Sequence, residues 1–274
     1  TPLDKGTKRV PFRLMGEEVE KKMFFTVDVP GIKQDYKKSD VEKLYLPGEL
    51  IPVNPPELQK KLEAMPCCTT NRQGKKNGDP LNLVMIAEFQ DMLDAMTLSG
   101  WDETEALSFA SAGRMMKAFF TGSEYRYSPV SNLYFEGRKH DVAFQKTREN
   151  INERLHLRLW LTPYTFEGKS VWAGQISRDI GIRLTRRTWN LTTHKIDPDI
   201  DESRDYLFAD LSLVERLGRF GYVSGVGKAL RTSPRRNLTG DPYYTDGLRL
   251  VVEITGDDSK PVFMGWKILQ NRSL

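Results

Sequence analysis

The segment from residue 154 to residue 160 alternates polar and apolar side chains without a break, which predicts a β-strand with two opposite faces. One face carries Leu155, Leu157 and Leu159, and the other face carries Arg154, His156, Arg158 and Trp160. The leucine face requires a hydrophobic core, whereas the cationic face is suited to an anion, a carboxylate partner or an acidic ligand. A shift by one residue would bury two arginines among the leucines, so the register is strongly constrained.

The length of 274 residues and the hydrophobic fraction of 39% suffice for a globular fold with a sizeable core. The chain has 41 basic and 37 acidic side chains, so its formal net charge is only +4. This surplus is too small to make nucleic acid or a membrane surface the expected partner. We therefore expect no nucleic-acid partner, and any preference for an anion has to be local.

The two cysteines, Cys67 and Cys68, are adjacent, and a bridge between sequence neighbours strains the backbone. We predict two free thiols. Together with His140, His156 and His194 they do not supply a four-ligand zinc site, so we expect no metal ion, although a mixed histidine and carboxylate site stays open. The sequence shows neither a serine nucleophile motif nor a nicotinamide or flavin signature, so we expect no cofactor.

Residues 1–78 are rich in Lys, Glu and Pro, and we interpret them as an N-terminal extension that packs on a main domain of residues 79–274. In the main domain, helical spacing predicts helices over 89–96 and 103–120, and a capping-box spacing predicts a third helix after Asp199. The predicted strands are 81–87, 131–135, 142–145, 154–160, 171–177, 180–184, 219–224, 248–255 and 262–267. Strands in succession, with helices grouped before and after them, favour an α+β fold: an antiparallel or mixed β-sheet with about three helices packed on it.

The acidic segment 197–201 resembles the start of a calcium-binding loop, but Glu202 stands where an EF-hand requires glycine. We predict instead that Asp199 or Asp201 caps the helix that follows. An alternative is that these carboxylates pair with the arginines of the cationic strand face.

The glycine-rich segment 221–228 has five residues between its first glycine and its Gly-Lys pair, one more than a phosphate-binding P-loop allows. We predict a strand and its turn there. The basic segment 228–236 can contact nucleic acid, cover a cleft as a lid or be a solvated loop, and the modest net charge favours the solvated loop. The turn that presents Arg138, His140 and Asp141 fits either an acid–base cluster or a charged hairpin corner.

Several motifs occur in order between residues 79 and 227, namely Asn82-Leu-Val, Gly100-Trp101, Pro129-Val-Ser131, Gly137-Arg138, Asp141-Val-Ala-Phe-Gln145, His156-Leu-Arg-Leu-Trp160, Val171-Trp-Ala-Gly174, Arg178-Asp179 and Thr193-His-Lys-Ile-Asp197. They resemble the LssY C-terminal domain family. The resemblance implies a bacterial domain without an established activity, which accompanies membrane domains of the phosphatidic acid phosphatase and DedA types. This chain differs because no apolar run approaches the roughly twenty residues that cross a bilayer. We expect it to be soluble, and an extracytoplasmic place and a membrane surface are both consistent with it.

Two functional hypotheses follow. In the first, the domain binds or hydrolyses an anionic molecule, such as a phosphorylated compound or a lipid head group. The candidate ligand-binding residues are Arg138, Arg154, Arg158 and Trp160, and the candidate catalytic residues are His156, His194, Asp179 and Asp141. In the second, the same residues form a structural network in an accessory module that contacts a membrane-protein partner.

Both hypotheses predict a cluster in space, because polar side chains on separate strands are costly to bury singly. The family resemblance implies which residues belong together, because its motifs contain them, and the predicted members of this cluster are Arg138, His156, Arg158, Asp179 and His194.

Overall fold

The computed structural model describes residues 6–15, 20–29, 44–103, 133–147, 153–184 and 192–267. For some of these residues, among them His194 and the strands before residue 30, only the backbone is described. The predicted helix 103–120 lies outside the described residues from residue 104 onwards.

Three α-helices occur in the described part of the chain, namely α1 (Pro55–Ala64), α2 (Phe89–Leu98) and α3 (Ile200–Leu213), with a 3₁₀ turn at Pro47–Glu49. A reciprocal cap opens α1, because Glu57 N donates to Asn54 Oδ1 and Asn54 N donates to Glu57 Oε2, both at 3.0 Å. The predicted helices at α2 and α3 are confirmed, and Gly100, with a φ of 77°, follows the end of α2. No helix was predicted at α1, since only Leu58 and Leu62 form its buried side.

The strands are β1 (Gly6–Met15), β2 (Glu20–Val29), β3 (Ile51–Pro52), β4 (Cys68–Thr70), β5 (Asn77–Pro80), β6 (Leu83–Ala87), β7 (Asp102–Glu103), β8 (Tyr134–Phe135), β9 (Arg138–Lys139), β10 (Val142–Thr147), β11 (Glu153–Phe166), β12 (Lys169–Leu184), β13 (Thr192–Ile196), β14 (Leu217–Ser224), β15 (Arg235–Arg236), β16 (Pro242–Tyr243), β17 (Leu248–Ile254) and β18 (Val262–Phe263). The predicted strands 171–177 and 180–184 are two parts of the single strand β12. The predicted strand 262–267 is shorter in the structure and ends at residue 263.

One mixed sheet of ten strands forms the centre of the described structure. Its strand order is β18-β14-β17-β6-β12-β11-β10-β7, while β13 pairs with β12 and β3 pairs with β11. The parallel pairs are β14 with β18, β17 with β6 and β11 with β3. Two smaller sheets, β5-β4-β8-β9 and β15-β16, accompany it. The predicted α+β class with a mixed sheet is confirmed.

The chain divides into two compact units, Thr1–Lys38 and Ser39–Leu274. In the first unit, β1 and β2 form an antiparallel hairpin. The second unit contains the ten-stranded sheet and the three helices. The domain boundary that we predicted after residue 78 stays a prediction.

The middle strands of the ten-stranded sheet are buried on both faces. On the first face, the leucines of β11 join the largest hydrophobic cluster together with apolar residues of α2 and α3. On the second face, Leu58 and Leu62 of α1 cluster with Val84 and Ile86 of β6, and Trp160 belongs to a separate apolar cluster. The two-faced strand predicted over 154–160 is confirmed, because its polar residues lie on this second face.

Cys67 and Cys68 form a disulfide, and neither is a free thiol. The prediction of two free thiols is therefore wrong. The backbone on either side of the bridge is fixed by sheet contacts: Leu81 N donates to Cys67 O at 2.9 Å, and Cys68 pairs with Pro80. The small sheet thus sets the backbone conformation of Cys67 and Cys68. The expectation that a bridge between sequence neighbours strains the backbone takes no account of such sheet contacts.

Asp199 is the N-cap residue of α3, but its side chain makes no capping hydrogen bond. The Asp201 carboxylate is also directed elsewhere, since it accepts from Thr245 Oγ1 at 2.8 Å and from Asp246 N at 2.7 Å. The prediction that one of these side chains caps the helix is wrong. The carboxylate of Asp201 instead ties the loop before β17 to the first turn of α3.

Arg249 of β17 joins α1 to the central sheet. Its side chain is buried and donates to five backbone carbonyl oxygens, which belong to Leu62, Met65, Pro66, Leu81 and Gly225. Because the last carbonyls of a helix have no partner within the helix, Arg249 satisfies the C-terminal end of α1 and the segment after it. Burial lowers the pKa of Arg249 to about 10, which still leaves it charged at neutral pH.

We predict that Arg249→Met lowers the free energy of unfolding by about 3 kcal/mol or more, because several buried carbonyls lose their donor at once. Urea unfolding followed by circular dichroism measures the change. The control is Arg236→Met, since Arg236 also donates to a backbone carbonyl, that of Gly240, but is exposed. Equal effects of the two substitutions would show that Arg249 does not anchor α1.

Candidate functional site

Polar side chains from three adjacent strands lie together on the second face of the central sheet. We call this set the polar patch, and its members are Gln145 of β10, Arg154, His156 and Arg158 of β11, and Gln175, Ser177 and Asp179 of β12. In the sheet register, His156 lies between Gln145 and Ser177, and Arg154 lies opposite Asp179. All seven residues are buried. Such a group requires internal hydrogen bonds, water or a ligand.

His156 and Asp179 make a direct contact in the polar patch, with His156 Nε2 at 2.7 Å from Asp179 Oδ2. Asp179 also acts on Arg154. Burial lowers the pKa of the Arg154 guanidinium, and the negative charge of Asp179 opposes that shift. One carboxylate therefore serves an imidazole and a guanidinium.

An amide holds one end of the Arg158 side chain. Arg158 Nη1 donates to Gln175 Oε1 at 2.6 Å, and Gln175 Nε2 donates to Ser177 Oγ at 3.0 Å. Burial lowers the pKa of Arg158, while the charges of Asp79 and Asp179 raise it. Both ends of the Gln175 amide are thus used within the polar patch.

Asp79 of β5 reaches the polar patch from the small sheet. Burial raises the pKa of the Asp79 carboxyl, and the charge of Arg158 and a hydrogen bond from Asn237 oppose the shift. Asn237 Nδ2 donates to Asp79 Oδ1 at 2.8 Å. Asn237 lies between β15 and β16, so the residues just after the basic segment 228–236 contact the edge of the polar patch.

Arg154 and Gln145 of the polar patch have buried atoms without a hydrogen-bond partner among the described residues. These atoms are Nε and Nη1 of Arg154 and Oε1 and Nε2 of Gln145. Arg154 is 1% exposed and Gln145 is 0% exposed, so bulk water does not satisfy them. A buried polar group without a partner is destabilising, so the burial of these two side chains has a cost that the described residues do not offset.

His140 and Trp160 border the polar patch on the side of Arg158. The two rings meet edge to face with centroids 6.2 Å apart, and Trp160 Nε1 donates to Arg138 O at 3.2 Å. Burial lowers the pKa of His140 to about 3, and the charges of Arg158 and Lys139 act in the same direction. His140 is therefore neutral at physiological pH.

Arg138 and Asp141 form a separate pair, in which Arg138 Nη1 donates to both carboxylate oxygens of Asp141 at 2.7 and 2.9 Å. The same pair binds the backbone of Leu161, through its N–H and its carbonyl oxygen. The structure thus brings His156, Arg158 and Asp179 together, while Arg138 contacts Asp141 and Leu161. The side chain of His194 lies outside the described residues.

The carboxylates of segment 197–201 do not pair with the arginines of the cationic strand face, so that alternative is wrong. Asp197 Oδ2 accepts from Arg178 Nε at 3.0 Å, and Asp201 is engaged by the loop before β17. Asp79 and Asp179 provide the carboxylates near Arg158 instead.

Sequence reasoning missed several residues of this site, namely Asp79, Gln145, Gln175, Ser177 and Asn237. Gln175, Ser177 and Asp179 alternate along β12 just as the polar residues alternate along β11, so a search for matching periods on flanking strands would have found them. Asp79 and Asn237 give no local signal, because both reach the polar patch from other elements.

A family model described as LssY C-terminus matches residues 60–248, which include the whole polar patch. The chain belongs to the LssY C-terminus family. No curated protein and no solved structure matches the chain. Within the described ranges, no helix of this LssY family member is long and apolar enough to cross a membrane. The same residues contain no group of three or more His, Cys, Asp or Glu side chains that could hold a metal ion.

We predict that His140 makes the protein less stable as the pH falls. Its pKa is about 3 in the folded state and about 6.5 in the unfolded state, so the unfolded chain binds more protons between these values. The free energy of unfolding should therefore decrease as the pH falls below about 6.5, and His140→Gln should remove part of this decrease.

Urea unfolding at about pH 7.5 and about pH 5 measures this difference in wild type and variant. Lys195→Gln, at an exposed position, is the control and should behave like wild type. An equal loss of stability in wild type and His140→Gln would contradict the prediction.

Proposed function

We propose that this LssY-family domain binds an anionic group, a phosphate or a carboxylate, at the polar patch. The observation that carries the proposal is the buried guanidinium of Arg154, whose Nε and Nη1 have no acceptor among the residues of the described ranges. A guanidinium is a strong donor to phosphate and carboxylate oxygens, and burial strengthens such bonds. An anion beside Arg154 would supply both the missing acceptors and a compensating charge.

The charges around the polar patch support this proposal. Burial lowers the pKa of Arg154 and of Arg158 and raises the pKa of Asp79, and all three shifts reflect the cost of burying a charge. Protonation of Asp79 would leave the two arginines with less negative charge nearby. A bound anion would offset that imbalance.

Two kinds of ligand carry the same phosphate group, namely a soluble phosphorylated molecule and the head group of a lipid. The lipid source agrees with the membrane companions that the family resemblance implies. We therefore extend the proposal to a process at a membrane surface, in which the domain recognises a lipid-derived phosphate. A membrane-protein partner would fit the same setting.

Hydrolysis of a phosphorylated substrate is a second candidate, which the 2.7 Å contact between His156 Nε2 and Asp179 Oδ2 favours. A carboxylate that orients an imidazole is the usual arrangement of a general base. Release of inorganic phosphate from an aryl phosphate would support hydrolysis, and binding without release would leave a binding domain.

We predict that inorganic phosphate raises the melting temperature of the wild-type protein. A ligand at about one hundred times its Kd stabilises the folded state by about 2.7 kcal/mol, which corresponds to about 5–10 °C for a domain of this size. Arg154→Met should keep the fold and lose the shift. Arg216→Met is the matched control, because Arg216 forms its ion pair with Asp258 at the surface.

Arg154 is a better test than Arg158, because truncation of Arg158 also removes the partner of Gln175 and a cation near Asp79. Vesicles with and without phosphatidic acid separate the two sources, since only a lipid ligand produces cosedimentation that depends on the acidic lipid. If neither phosphate nor acetate nor these vesicles changes the melting temperature, the polar patch is a structural network of an accessory module.

A further inference from the structure

We infer that Gln145 is a specificity-determining residue, which selects ligands that carry a hydroxyl group next to the anionic group. This inference rests on the proposed function and concerns a different side chain of the same site. It is carried by the Gln145 amide, whose two ends both lack a hydrogen-bond partner among the described residues while the side chain is fully buried.

The chemistry of the amide defines the missing group. The amide nitrogen donates two hydrogen bonds and the amide oxygen accepts, so a full complement requires a partner that both accepts and donates. A phosphate dianion accepts only. A hydroxyl group does both, and it satisfies Gln145 whichever way the amide is turned.

The sheet register defines the distance between the two groups of the ligand. Gln145 lies opposite His156, and Arg154 is the next residue of β11 on the same face, so Gln145 and Arg154 are diagonal neighbours. Diagonal side chains on an antiparallel pair are about 7–8 Å apart at their bases. A phosphate ester with a hydroxyl group on a neighbouring carbon atom would place its phosphate at Arg154 and its hydroxyl group at Gln145.

Gln175 provides an internal comparison. It is the same residue type, equally buried and on the other strand that flanks β11, but its amide is used at both ends by Arg158 and Ser177. Gln175 is therefore a structural residue, and Gln145 has its hydrogen-bonding capacity left for a ligand. Because only the Gln145 amide is unused, its proposed role in specificity does not follow merely from the need for polar residues on this face of the sheet.

The test measures the affinity of the full chain for inorganic phosphate, ethyl phosphate and 2-hydroxyethyl phosphate by calorimetry. We expect wild type to bind 2-hydroxyethyl phosphate at least about tenfold more tightly than ethyl phosphate, because only the first satisfies the amide. Gln145→Met should bind the two esters with equal affinity. Gln175→Met should keep the preference for the hydroxyl group, measured on the folded fraction of that variant.

Each failure has its own meaning. Binding of all three compounds by wild type without a preference overturns this inference and leaves the proposed function intact. No binding of any of the three overturns this inference and the phosphate form of the proposed function. The wild-type comparison does not depend on whether Gln145→Met folds, and a preference that persists in that variant also overturns the inference. Vesicles that contain lysophosphatidic acid, which has the same hydroxyl-bearing phosphate, form a separate arm that distinguishes a lipid from a soluble source.

Discussion

The structure depends on the burial of β11 on both of its faces, which have opposite chemistry. Its leucines enter the core under α2 and α3, while its arginines and histidine are covered on the other side of the sheet. Covering an apolar face is favourable without further conditions, but covering a cationic face is favourable only if each donor finds an acceptor. The neighbouring strands therefore have to carry matching polar side chains, as Gln175, Ser177 and Asp179 do on β12.

The buried arginines of this protein show how demanding that condition is. Arg204 is bound by Asp246 through two contacts of 3.1 and 2.7 Å and by the carbonyl oxygen of Leu248. Burial lowers the pKa of Arg204, but the carboxylates of Asp246, Asp201 and Asp205 outweigh burial and raise it. Arg249 is surrounded by backbone carbonyls. Arg154 is equally buried but has two nitrogen atoms without an acceptor in the described part of the chain. Among the described residues, the other buried arginines have hydrogen-bond partners, so Arg154 is the exception on which the proposed function rests.

The sequence predicted those parts of the fold and site that depend on local periodicity. The two faces of β11 and the helices α2 and α3 follow from alternation and spacing. The meeting of His156, Arg158 and Asp179 was implied by the family resemblance, together with the cost of burying polar side chains singly. What depends on contacts between distant segments was missed: Asp79 and Asn237 lie 158 positions apart and meet at the polar patch. The cap predicted at α3 failed for the same reason, since a distant loop takes the Asp201 carboxylate. Pairing of Cys67 with Cys68 likewise depends on the small sheet around them.

A site of this kind would also reconcile a weakly charged chain with the proposed binding of an anion. Attraction over a distance scales with net charge, which is only +4 here, so long-range steering of polyanions would be weak. Selectivity inside a buried site has another origin, because a ligand that leaves a buried donor unsatisfied is rejected by the cost of that unpaired group. Arg154 and Gln145 both have such groups. Recognition at the polar patch would therefore depend on the shape and hydrogen-bonding pattern of a small anionic group, and much less on the net charge of the protein or on the salt concentration.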